Sequence, residues 1–169
     1  MATLTTDEKR QAERAAEDTI QDAFGSLEAV EFPIDLNIIL DRYAISLKKG
    51  GFTDETISGA FNRSESTIYV SERESSERQL FTVAHELGHF KLHKDRTTDI
   101  LYRMPLWPFN NGEAKDETQA NWFAANLLMP KQAVKQMWSI THDIEQIAGF
   151  FGVSKTAMHF RLKDLGLIS

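Results

Sequence analysis

One stretch constrains this chain more than any other: LFTVAHELGHFKLH, residues 80–93. Phe81, Val83, Ala84, Leu87, Phe90 and Leu92 surround histidines and a glutamate, so a helix built from it is nearly apolar all round and belongs in a core. Polar groups in such a place need partners, because burying an unpaired imidazole or carboxylate is costly. His85-Glu86-Leu87-Gly88-His89 follows the pattern H-E-x-x-H. Residues four apart share a helix face, so the imidazoles of His85 and His89 can reach one ion from the same side. Glu86, one position after the first histidine, can lean over an ion-bound water and act as general base. By composition alone such a pentapeptide arises in roughly one chain in a few hundred, and its apolar setting is what favours a metal site over a chance helix edge.

The chain has no cysteine, which removes disulfides and thiolate metal sites. Any metal must then be held by histidine and carboxylate, and the candidates for a third ligand are His93, Glu113, Asp116 and Glu117. His93 lies four residues beyond His89, but three ligands in one row would spread over about 12 Å of helix axis and cannot converge on one ion. It is read as a group behind a ligand or as a helix-end cap. Asp116 and Glu117 both border the apolar face of Ala120, Phe123, Ala124, Leu127 and Leu128, so periodicity does not choose between them. Asn121, one turn after Glu117, is a candidate to orient a ligand or substrate, with a plain surface asparagine as the competing reading. Donors for a developing oxyanion are sought among His93, Tyr69, Tyr102, Arg103 and Arg161, and the sequence does not select one. Zinc is the default for this ligand type, although Mn2+ or Co2+ would also be accepted.

A length of 169 residues fits one domain, spanning 1–169. Helices are expected in 5–45, a small sheet at about 45–71, metal-site helices in 79–130 and a helical tail in 131–169. The opening helix has a capping box at Thr5 and Glu8, and Gly25 stops it. Pro33 is expected to open the second helix. ISLKKG and ISGAFNRSESTIYVS read as the sheet, with a turn at 62–66. A loop with Pro105, Pro108 and Gly112 leads to a helix from about Asp116 that Pro130 stops; its Trp107 and Phe109 line a cleft or pack in the core. The fold class is α+β, mostly helical, with a small early sheet. The net charge of −6 argues against direct nucleic-acid binding, and Lys131, Lys135, Lys155, Arg161 and Lys163 read as a solvated face. No apolar run is long enough to span a membrane and no secretory signal opens the chain, so a cytoplasmic location is expected.

Three stretches, RQLFTVAHELGHFKLH, ETQANWFAANLLMP and IAGFFGVSKTAMHFRLKDLGLI, together with the opening PIDLNIILDRYAISLKKGG, resemble the ImmA/IrrE metallopeptidases over most of the chain. The resemblance implies a zincin-like fold in which His85 and His89 bind zinc, Glu86 is the catalytic glutamate and Glu117, not Asp116, is the third ligand. It implies a protein partner as well: a helix-turn-helix repressor of the XRE type, often encoded beside the peptidase, whose cleavage releases phage, mobile-element or stress-response genes. The C-terminal sensor domain of some members is expected to be absent. The competing class is a DNA-binding or antitoxin-like regulator with a structural or vestigial metal site. It rests on DIEQIAGFFGVSKTAMHFRLKDLG, which resembles a helix-turn-helix. The acidic charge and the intact Glu86 speak against it. STIYV is a candidate edge for aligning an extended substrate, with a structural strand as the plainer reading.

Overall fold

The computed structural model describes residues 3–95, 100–102 and 115–169, with the side chains of 100–102 left aside. Helix α1 (Thr6–Phe24) and a short 3-10 turn (Leu27–Ala29) precede α2 (Leu36–Arg42) and the strands β1 (Ser46–Gly50), β2 (Gly59–Asn62) and β3 (Thr67–Ser71). Then follow α3 (Ser76–Leu92), β4 (Ile100–Tyr102), α4 (Lys115–Leu128), α5 (Lys131–Ile140), α6 (Ile144–Phe151) and α7 (Lys155–Asp164). The architecture is the mostly helical α+β class expected. Among the described residues no helix is long and apolar enough to cross a membrane.

Local chemistry sets the helix ends. At α1 the Glu8 N–H donates to Thr5 Oγ1 at 3.2 Å while the Thr5 N–H donates to Glu8 Oε2 at 2.7 Å, a reciprocal capping box. Gly25, at φ +80°, ends the helix in the left-handed conformation that glycine adopts without penalty. Ser75 caps α3 and Ser154 caps α7, each accepting from a backbone N–H three residues on. The second helix begins later than Pro33. Asp35 is its cap, accepting the Asn37 N–H at 2.9 Å, and this carboxylate satisfies an N–H that proline only tolerates losing.

The sheet is four-stranded, in the order β1-β3-β2-β4. Strands β2 and β3 form an antiparallel hairpin pairing Gly59 with Val70 and Asn62 with Thr67, and β1 runs parallel to β3. The early sheet was expected from these three strands alone. β4 adds to it because Ile100–Tyr102 pairs antiparallel with β2, and a piece this short becomes a strand only through its partner.

Helix α3 lies against β2 and β3 on one side and α4 on another. Every residue from 81 to 89 is buried. Phe61, Ile68 and Val70 of the sheet share one apolar cluster with Val83, Ala84 and Leu87 of α3, Phe123, Ala124 and Leu127 of α4, and Phe151, Met158 and Leu162 of the tail. The two ligand-bearing helices come close together at Gly88. A Cβ there would lie 3.0 Å from the Ala120 Cα and 3.1 Å from the Ala120 carbonyl oxygen. Gly88→Ala should therefore lower the unfolding free energy by roughly 1–3 kcal/mol, the usual cost of overpacking a core. Gly149, exposed in α6 with nothing within 4 Å of an added Cβ, is the opposite case. Gly149→Ala should raise stability by about 0.5–1 kcal/mol, and urea denaturation of the two variants checks the contrast.

Candidate metal centre

The packing of α3 on α4 brings the first turn of α4 over the middle of α3. His85 Nε2 lies 3.0 Å from His89 Nε2 and 3.1 Å from Glu117 Oε2, and His89 Nε2 lies 3.1 Å from Glu117 Oε1. These residues form a group able to hold a metal ion, with His85 and His89 buried and Glu117 partly so. Donor atoms bound to one tetrahedral zinc at 2.0–2.1 Å stand about 3.3 Å apart, close to the spacing here. Two imidazole nitrogens that both present lone pairs at 3.0 Å repel unless a proton or cation lies between them. Two nitrogens and a carboxylate oxygen make a donor set of the catalytic zinc type, with room for a further ligand. The residues present thus fit the ion.

Electrostatics point the same way. Burial works against ionisation of Glu117, but hydrogen bonds from His85 and His89, and their charge, outweigh it and hold the carboxyl well below the usual range. The outer ring nitrogens are engaged too. His85 Nδ1 lies 2.8 Å from Asn121 Oδ1, one turn along α4 from Glu117. His89 Nδ1 lies 2.9 Å from His93 Nδ1, and His93 Nε2 lies 3.1 Å from Gln119 Oε1. His93 is the C-cap of α3, so its ring turns back along the helix and meets His89 on the side away from the ligand triangle.

The remaining candidates fall elsewhere. Glu86 is fully buried beside His85 on α3. Asp116 is half-exposed and faces His93, with Oδ1 3.7 Å from Nε2. Tyr69 stands on β3 with its hydroxyl donating to Glu65 Oε2 at 2.6 Å, and that bond raises its pKa. Arg161 is not brought to the cluster. It is 2% exposed and donates from Nε to the Met129 carbonyl at 2.9 Å and from Nη2 to Asn126 Oδ1 at 2.7 Å. Asn126 is nine residues beyond Glu117, so about 13 Å of helix separates the two ends. Burial pushes the Arg161 guanidinium down to about 10, against the opposing charges of Asp164 and Glu13. Arg103, Glu113, Trp107 and Phe109, and the Tyr102 side chain, lie outside the described residues.

Two participants escaped the sequence reading. Gln119 sits between Glu117 and Asn121, two residues from each and so on a different side of α4, yet it is buried and reaches His93. Arg63, in the hairpin turn, donates from Nη2 to the carbonyl oxygens of His93 at 3.1 Å and His89 at 3.4 Å, closing the C-terminal end of α3.

Residues 40–163 match the model of a peptidase family described as the IrrE N-terminal-like domain. The chain belongs to this family. Membership bears out the resemblance drawn from the motifs. Metallopeptidase ImmA of Bacillus subtilis is similar to this chain, 30% identical over 100 residues, 57% of this chain and 56% of that protein. Uncharacterized immunity region protein 2 of Bacillus phage phi105 is 30% identical over 105 residues, 62% of this chain and 63% of that protein. The alignments thus span somewhat over half the length of each relative. A solved structure titled Mycobacterium tuberculosis transcriptional regulator shares the fold, with a TM-score of 0.60 over 94% of this chain and 47% of that one at 19% identity.

Metal binding by this constellation is open to direct measurement. Zinc at about a hundredfold its Kd should stabilise the chain by about 2.7 kcal/mol, and chelation should reverse the gain. His89→Ala should abolish the zinc-dependent shift in calorimetry while leaving a cooperative transition.

Proposed function

We propose that this chain is a zinc-dependent endopeptidase of the cytoplasm, one domain over 1–169, that cleaves a helix-turn-helix repressor of the XRE type encoded nearby. Cleavage would derepress phage, mobile-element or stress-response genes. The observation that carries the reading is the meeting of His85, His89 and Glu117 across α3 and α4, with Glu86 buried one residue from a ligand, in a chain of a peptidase family. The substrate class is supported by the names of the relatives, one a metallopeptidase and one from a phage immunity region.

In this reading His85 and His89 hold the ion through Nε2 and Glu117 through a carboxylate oxygen. When bound, zinc lowers the pKa of a water toward neutrality and polarises the peptide carbonyl. Glu86 takes a proton from the attacking water on its carboxylate and returns it to the amine nitrogen as the C–N bond breaks. Asn121 accepts from His85 Nδ1–H, which keeps the lone pair of that ring on Nε2. The same donor set would also take manganese or cobalt.

The α6–α7 pair has the layout that favours a DNA-binding reading, with a left-handed turn at Gly152, φ +66°. Its second helix, however, buries Met158, Arg161 and Leu162, so the arginine that a recognition helix would offer to DNA is committed to α4. Glu86→Gln should retain zinc and lower cleavage of the co-expressed neighbouring repressor roughly 10²–10⁴-fold, the usual contribution of a general base. Cleavage at the wild-type rate would remove Glu86 from the mechanism.

A further inference from the structure

We propose that the cleft between α1, α4, α5 and α7 binds a small zwitterion, an amino acid or a short peptide with free termini. Its carboxylate meets Arg161 and Lys135, and its ammonium group meets Glu13 and Glu17. The site stands apart from the metal centre and needs neither its ion nor its reaction.

The cleft holds about 680 Å³, within the roughly 300–1,000 Å³ usual for small-ligand sites. One wall is α1, where Glu13 and Glu17 are four residues apart and share a face. Another is α5, where Lys131 and Lys135 repeat that spacing with the opposite sign, and α7 adds Arg161 and Asp164. Although the three cations and three carboxylates line one space, no ion pair joins any of them among the described residues. Comparable charges do pair elsewhere on the surface, Lys115 with Glu8 at 3.0 Å and Lys155 with Glu145 at 3.5 Å.

Arg161 carries the argument furthest. It is 2% exposed, with Nε and Nη2 bound to the neutral oxygens of Met129 and Asn126, while Nη1 forms no bond among the described residues. A buried cation with only neutral partners is costly to keep. Burial lowers its pKa to about 10, with Asp164 and Glu13 opposing from beyond ion-pair contact. A carboxylate on Nη1 supplies the missing counter-charge, and the planar guanidinium suits that group.

The mixture of signs selects the ligand. A plain anion would face three carboxylates and a plain cation three basic groups, whereas a molecule with both charges satisfies each wall. Ile20, Leu27 and the Trp122 ring offer it apolar contact. The Trp122 indole N–H also donates to Glu13 Oε1 at 3.3 Å, which holds that carboxylate beside the ring. The acidic wall lies on α1, outside the residues 40–163 that match the family, so the site belongs to this chain beyond the matched domain.

Calorimetry on the full chain, kept metal-free with chelator so that no peptide is cut, tests the proposal with leucine and Ala-Leu-Ala as probes. At least one should bind with a Kd below about 1 mM. Leucine binding at least as tightly as the tripeptide assigns the site to free amino acids, and a tighter tripeptide assigns it to peptides. Acetylating the amine or amidating the carboxylate of the better probe should weaken binding roughly tenfold or more. Lys135→Glu and Glu17→Lys, both at exposed positions, should each have the same effect in a chain that still unfolds cooperatively. No binding of either probe at about 10 mM overturns the proposal. So does a blocked probe that binds as tightly as the free one, or wild-type affinity in both folded variants. Binding seen only after zinc is restored belongs to the metal centre and overturns it as well.

Discussion

Everything chemical in this molecule depends on how near α3 can come to α4. The helices meet where Gly88 lies against the backbone of Ala120, and a methyl group at that point would press on atoms that cannot swing aside. This contact sets Glu117, three residues before Ala120, over the His85–His89 face, at 3.1 Å from each imidazole. The glycine inside the H-E-x-x-H pattern is therefore as much a part of the geometry as the histidines. A side chain there would widen the helix spacing by a few tenths of an ångström, and ligand distances near 3 Å leave little room for that.

The second constraint is the cost of keeping polar groups in an apolar core. His85, Glu86, His89 and Asn121 are all essentially buried, and a protein keeps such groups inside only where partners or an ion compensate the lost hydration. Here the compensation is arranged in layers. The inner ring nitrogens and Glu117 face one another, the outer nitrogens face Asn121 and His93, and His93 in turn faces Gln119. The hairpin turn contributes through Arg63, whose guanidinium closes the end of α3 beneath the same histidines.

Local rules made much of this legible before any coordinates. The Thr5 capping box, the Gly25 stop and the fourfold spacing of His85 and His89 each depend on a handful of neighbouring residues, and each is found where the pattern placed it. Legibility ended where distant segments decide. Asp116 and Glu117 differ by 100° around one helix and both flank the apolar face, so periodicity left them level; the resemblance pointed to Glu117, and the crossing of α3 and α4 is what sets it beside His85 and His89. β4 has no pattern of its own. Arg161 reads as one more basic residue in a charged tail, and its burial follows from the Met129 carbonyl and Asn126 standing above it. Gln119 was hidden because helical spacing from Glu117 turns it away from the ligand triangle, while the partner it meets lies past the end of α3.

Arg161 carries one more consequence. Helix α4 is fastened at its first turn to α1, through Gln119 and the Lys115–Glu8 pair at 3.0 Å, and at its far end to α7 through this arginine. One helix thus runs from the carboxylate that faces His85 and His89 to the contact with the tail, about 13 Å along its axis. The last helix, which resembles a reader of DNA, serves as a strut against the far end of the helix that carries Glu117.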